Sequence, residues 1–219
     1  KAARQNNSSA KLSLTHCYLH SGNAAKTMAW FTNVEEDASI DDAAKNSLKA
    51  SLAYALQNGQ NGFAKNINQA IELYKELAES GREVYLPLAA CYLENEMYEK
   101  AFESVLKVST PIPDVGFYHY DGLGTPQSYT KAAAYWESVA ERVPLSNLFL
   151  AVCYFSGNGV VKNRDKAVEL INKVESSYPN MRKGYLQNFD YLRNRFPGYA
   201  KDEMEFFKFL SEKHDIHVE

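Results

Sequence analysis

Residues Ser146 to Val174 read SNLFLAVCYFSGNGVVKNRDKAVELINKV, and one helical hairpin accounts for the whole stretch. Leu150, Ala151 and Tyr154 mark a first helix, Gly157, Gly159 and Val160 a tight turn, and Lys166, Ala167, Ile171 and Val174 a second helix. Glycine permits the left-handed backbone that reverses the chain between two helices. A dinucleotide fingerprint would need a preceding strand, so neither this turn nor Gly122-Leu123-Gly124 reads as a phosphate loop.

The pattern recurs upstream. Aligning the start of each second helix gives Lys26-Thr27, Gln69-Ala70, Lys100-Ala101, Lys131-Ala132 and Lys166-Ala167. Four residues after the small one stand Phe31, Tyr74, Val105, Trp136 and Ile171; seven after it stand Val34, Leu77, Val108, Val139 and Val174. All are apolar, at the spacing that buries one helix face. In the first helices Leu14, Leu52, Leu88, Val115 and Leu150 each precede a small residue, and three further on come Tyr18, Leu56, Tyr92, His119 and Tyr154. Intervals of 43, 31, 31 and 35 residues between the small residues at 27, 70, 101, 132 and 167 are those of a helical repeat array.

The motif Leu-Gly-x-x-Tyr-x-x-Gly-x-Gly-Val followed by Lys-Ala resembles the Sel1-like repeat. The fifth hairpin carries it through Leu150, Ala151, Tyr154, Gly157, Gly159, Val160, Lys166 and Ala167; the fourth has His119 in place of Tyr; the second keeps Gly59 and Gly62. The first and third lack the glycine insertion and resemble tetratricopeptide (TPR-like) units. The resemblance implies an all-α, right-handed α-solenoid of about five hairpins, and a bacterial source. The array is expected over 1–174, with hairpins near 10–34, 46–80, 83–108, 113–143 and 146–174, and capping helices over 175–219.

Between hairpins, VEEDASIDDAA (34–44) reads as a solvated acidic loop with Ser39 or Asp41 capping the next helix. Pro111 and Pro113 should shorten the fourth hairpin's first helix. Past Val174, Tyr185, Phe189, Leu192 and Phe196 make one helical stripe, Pro197-Gly198 breaks it, and Met204, Phe207 and Leu210 make another. These helices should cap the apolar end of the last hairpin, or serve a homodimer or partner.

Composition narrows the function. Twenty-four basic and 27 acidic residues give a net charge of −3, without the cationic excess that displaces counterions from nucleic acid, so nucleic acid is not the expected partner. No apolar run approaches the roughly 20 residues that span a bilayer, and a soluble chain is expected. The first residue is Lys1 rather than Met, which suggests that a segment such as a signal peptide or anchor preceded it. Fifteen tyrosines and 11 phenylalanines must serve the core or a binding surface.

Chemistry-bearing motifs are sparse. Cys17, Cys91 and Cys153 occupy one repeat position in alternate hairpins, too far apart for disulfides, and read as small buried residues. Three free thiols favour the cytoplasm; a periplasmic location would follow from a removed signal peptide. His16 and His20 lie one helical turn apart but lack the glutamate of a metalloprotease pattern, and His214, Asp215 and His217 fall in the tail; no metal site is expected. No catalytic residue and no cofactor is assigned.

In such arrays the first helices line a concave face, which the resemblance implies is the ligand surface. Counting from the tyrosine position places His16, Leu19, His20, Tyr54, Gln57, Asn58, Ala90, Leu93, Glu94, Phe117, Tyr120, Asp121, Val152, Phe155 and Ser156 there. The expected function is a non-enzymatic scaffold that binds a protein, as a peptide or an inserted loop: an immunity or inhibitor protein of a secreted toxin or effector, or an adaptor in envelope or signalling assembly. The alternative is a hydrolase acting on cell-wall material.

Overall fold

The computed structural model describes residues 7–177, 179 and 193–213. Every regular element among them is helical: α1 Ser8–His20, α2 Ala24–Glu35, α3 Asp42–Asn58, α4 Ile67–Glu79, α5 Tyr85–Glu94, α6 Tyr98–Val105, α7 Asp114–Asp121, α8 Tyr129–Val139, α9 Ser146–Ser156, α10 Arg164–Ser177 and, last, α11 Pro197–Lys213. None is long and apolar enough to cross a membrane. Tyr185, Phe189 and Leu192, like His214, Asp215 and His217, lie outside the described residues. The chain divides into two compact lobes, the first ending at Met97 and the second starting at Tyr98.

One hydrogen bond organises all five turns. The backbone N–H at the start of each second helix donates to the carbonyl of the tyrosine-position residue: Asn23 to Tyr18 (2.9 Å), Asn66 to Leu56 (2.8 Å), Met97 to Tyr92 (2.8 Å), Ser128 to His119 (2.7 Å) and Asn163 to Tyr154 (2.8 Å). The chain between the paired residues differs in length, from 18 to 23 and 92 to 97 in the TPR-like hairpins and from 154 to 163 in the fifth. The glycine insertion therefore fits between fixed closure points. Side chains at those points cap the helices: Asn23, Asn66, Ser128 and Asn163 accept from the N–H groups of Lys26, Gln69, Lys131 and Lys166.

Gly157 ends α9 in the left-handed conformation at φ 85°, as the turn requires. Gly159 has a second duty that periodicity alone does not reveal. A Cβ there would overlap the Tyr129 carbonyl at the start of α8, and one at Gly124 would overlap the Tyr98 carbonyl at the start of α6. In the first lobe, Gly62 meets Gly22 in the same way. The second glycine of each loop is thus where one hairpin rests on the backbone of the hairpin before it.

In the first lobe, Val34, Leu48, Leu52, Ala53, Leu77 and Leu19 form a fully buried core, with Thr15 and Thr27 at the close approach of α1 and α2. The two threonine hydroxyls donate to backbone carbonyls one turn back, of Lys11 and Asn23. The acidic stretch after Val34 is mostly exposed, yet three of its residues are paired or buried. Glu35 lies in α2 and pairs with Lys49, which also holds Glu76; Asp37 accepts from Lys11 and Ser8 at 2.9 Å; and Ile40 is buried. The adjacent cations supply the reason, since paired carboxylates lose the drive to stay fully hydrated. Asp41, rather than Ser39, caps α3 by accepting from the N–H of Ala44.

In the second lobe α7 is short, eight residues after Pro113. The two carbonyls before it are used from α8: Tyr135 donates its hydroxyl to Ile112 O at 2.7 Å, and Trp136 its indole N–H to Pro113 O at 2.9 Å. The Trp136 ring lies where a Cβ at Gly116 would be, so no larger residue fits at that small position.

Terminal helix α11 does not simply cover the free end of the last hairpin. It packs on α7 and α9, the first helices of the fourth and fifth hairpins. Its buried face is Tyr199, Ala200, Glu203, Phe206, Phe207 and Leu210, with Phe196 buried just before it, while Met204, expected on the apolar stripe, is exposed. The spacing of 3 and 4 places 196, 199, 203, 206 and 210 together, whereas 204 lies beyond the margin of that face. Pro197 and Gly198 open this helix instead of merely interrupting a pattern, as suits a proline in the first turn. The aromatic surface expected to be available for a homodimer is, in this helix, used inside the lobe.

Candidate interaction face on the first helices

The residues expected on the ligand face separate by lobe. In the second lobe they are occupied. Phe117 is buried, with its ring 5.2 Å from Phe196 and 4.7 Å from Tyr199. Tyr120 is also buried; its hydroxyl donates to Asp202 at 2.7 Å and accepts from Asn158, whose amide also donates to Asp202 at 2.9 Å. Phe155 packs on Phe206 and Phe209, with the Arg164 guanidinium over both Phe155 and Phe209. Val152 is fully buried, and the Ser156 hydroxyl donates to the Val152 carbonyl. Phe117, Tyr120 and Phe155 are therefore corrected from partner contacts to core residues. The chain's own terminal helix fills the surface on which they lie.

Asp121 is committed as well. One carboxylate oxygen accepts from the N–H of Gly198 and the other from that of Tyr199, both at 2.8 Å, so Asp121 caps α11 from across the fold. Burial raises its pKa above the usual carboxylate range, with Asp202 nearby adding to the rise and the two N–H groups opposing it. Burial likewise raises the pKa of the Tyr120 hydroxyl.

In the first lobe, Leu19 and Gln57 are corrected too. Leu19 is fully buried, and Gln57 turns inward to accept a hydrogen bond from the Tyr74 hydroxyl at 3.0 Å. The remaining positions are accessible. Tyr54 is 54% exposed, Asn58, His20 and Glu94 are exposed, and His16 and Leu93 are half-buried. The His16 and His20 rings stack 6.2 Å apart, and burial, followed by the neighbouring His20, lowers the His16 pKa. Glu94 pairs with Lys65. Chemically this is a mixed surface of one large ring, amide, imidazole and carboxylate groups, suited to hydrogen bonding and ring contact with a polypeptide.

No group of three or more His, Cys, Asp or Glu among the described residues is placed to hold a metal. None of the three cysteines is joined in a disulfide. Cys91 and Cys153 are buried, and burial raises the Cys153 thiol pKa, which makes it a poor nucleophile. Cys17 is exposed, a correction to the expectation that all three are buried: it lies on a face of α1 that no neighbouring helix covers among the described residues.

Comparison with known proteins follows the same geometry. A family model, the Sel1 repeat, matches residues 50–81, 114–142 and 144–173, the three hairpins with glycine turns. A crystal structure of a protective antigen present in uropathogenic Escherichia coli strains, displaying an SLR fold, superposes with TM-score 0.55 at 20% identity, covering 99% of this chain. The chain spans only 50% of that structure's length. A Sel1 repeat protein from Oxalobacter formigenes gives TM-score 0.59 at 17% identity, over 96% of this chain and 89% of its own. No curated protein matches. Sel1 repeat proteins generally mediate protein–protein interaction and are typically non-enzymatic. The chain thus carries three matches to the Sel1 repeat, in an all-helical fold similar to that of these structures.

Proposed function

We propose that the chain is a scaffold that receives a protein partner on the first-helix face of its first lobe, through His16, His20, Tyr54, Asn58, Leu93 and Glu94. The observation that supports this most is the exposure of Tyr54, at 54%, at the repeat position where the second lobe buries Phe117 to 1%. A large ring held on a helix loses little side-chain entropy on binding, so it is an efficient anchor when a partner covers it. An immunity or inhibitor protein and an assembly adaptor are two forms of this reading, distinguished by whether docking blocks the partner's activity.

The test is site-specific photocrosslinking. A benzophenone amino acid at position 54 or 93 should capture a discrete protein partner in the source cells, whereas one at Glu72 on α4, exposed but on a second helix, should not. Equal capture from all three positions, or capture from 72 alone, would contradict the assignment.

A further inference from the structure

The way α11 is held in the second lobe suggests what the open face in the first lobe accepts, an inference that rests on the scaffold reading of that face. Phe117 and Asp121 stand one turn apart at the end of α7, followed by Gly122 in the left-handed conformation at φ 73°. Together they receive the first turn of a helix. Phe117 contacts the rings of Phe196 and Tyr199, and Asp121 accepts from the two backbone N–H groups at 198 and 199. Tyr54 and Asn58 repeat that arrangement at the end of α3, with Gly59 following at φ 64°. Both pairs read aromatic, three residues, Asp or Asn, Gly, and both occupy the same positions relative to the repeat.

The two pairs differ in occupancy. Tyr54 is exposed, and the Asn58 side-chain nitrogen donates to the Tyr54 carbonyl at 2.9 Å. The Asn58 side-chain oxygen takes no hydrogen bond among the described residues. Asn and Asp are the side chains that best accept from the N–H groups at the start of a helix. We propose that Tyr54 and Asn58 receive the N-terminal turn of a helix in a protein partner, one that carries an aromatic side chain at that turn. Ring contact supplies the apolar part of the recognition, and the Asn58 oxygen satisfies N–H groups that the helix leaves without partners.

The probe is a synthetic peptide copying residues 195–213, RFPGYAKDEMEFFKFLSEK, labelled at its C-terminus and titrated against the full chain by fluorescence anisotropy. Saturable binding is expected, weakened on the order of tenfold by Tyr54→Ala and by Asn58→Ala, as for hot-spot truncations. Asn58→Asp should retain it, because a carboxylate also accepts from a helix N-terminus. A peptide with Glu203→Pro, which breaks the helix, should bind less. Binding unchanged in Asn58→Ala, or lost only in Asp121→Ala through exchange with α11, would overturn the proposal. Equal binding of the proline peptide, still dependent on Tyr54, would overturn the helical mode and leave the face assignment standing. No binding of either peptide would overturn the helix inference, and the crosslinking experiment would still judge the face separately.

Discussion

The two lobes use one repeat in opposite ways. Positions that face outward on α1, α3 and α5 in the first lobe face a helix on α7 and α9 in the second. At one repeat position His16 is half-buried and Tyr54 exposed, whereas Phe117 and Val152 are buried; the position of Tyr120 and Phe155 is buried in both lobes, through Leu19 and Gln57 in the first. Burial at the position shared by Tyr54 and Phe117 is therefore not intrinsic to the repeat. It depends on whether the chain itself supplies a cover.

The sharpest way to break the comparison is to truncate the cover. Tyr199 is fully buried among Phe117, Trp136 and Phe149, so Tyr199→Ala should destabilise the protein by about 3–5 kcal/mol in urea denaturation. Tyr54→Ala should stay within about 0.5 kcal/mol, as for exposed sites. Similar losses from both substitutions would dissolve the distinction. Next comes the stacking contact. Gly159→Ala places a methyl group against the Tyr129 carbonyl with φ positive, and a loss of about 1–3 kcal/mol is expected from overpacking, read by thermal melting.

A smaller effect separates the two helix-end residues. Asp121→Ala removes a cap and should cost about 1 kcal/mol, within the range for helix caps, whereas Asn58→Ala should leave stability unchanged and alter only binding. Equal effects on stability would mean that Asn58 is also structural.

The smallest effect is in pH dependence, where the lobes carry aspartates shifted in opposite directions. Asp121 is raised above its ordinary value of 3.8, so the folded state binds its proton more readily than the unfolded chain. Its contribution to stability should rise as pH falls from neutrality through the folded pKa. Asp37 is held well below the usual range by hydrogen bonds from Lys11 and Ser39, so its contribution is present above the unfolded value and lost as pH falls below it. His119, lowered by burial, loses stability on acidification from neutrality and partly masks Asp121. Subtracting the pH profile of Asp121→Asn isolates the carboxylate: the wild-type stability minus that of the variant should fall toward alkaline pH, and a difference that grows toward alkaline pH would contradict the raised pKa of Asp121.

Much of the fold was legible because the repeat couples two periodicities. Apolar residues at Tyr74, Leu77, Trp136, Val139, Ile171 and Val174 repeat within a helix, and small residues at Thr27, Ala70, Ala101, Ala132 and Ala167 repeat between hairpins. All of them are buried. The site was legible only as a face. Nothing local to Phe117 or Tyr120 says that a helix some 80 residues later will cover it, because that docking depends on a tertiary match with Phe196, Tyr199 and Asp202. The alternation of lengths in the glycine turns was visible, but the carbonyl overlap at Gly62, Gly124 and Gly159 was not, since it involves the backbone of another hairpin. Likewise, the acidic stretch after Val34 gave no sign of its cations, Lys11 and Lys49, which are distant in sequence.

The most direct measurement is hydroxyl-radical footprinting of the free chain, read residue by residue by mass spectrometry. Tyr54 and His20 should oxidise readily, while Phe117, Tyr120, Phe155 and Tyr199 stay protected. Oxidation of Phe117 and Tyr120 at rates comparable to Tyr54 would show that α11 does not cover the second lobe's first helices in solution, and would contradict the account.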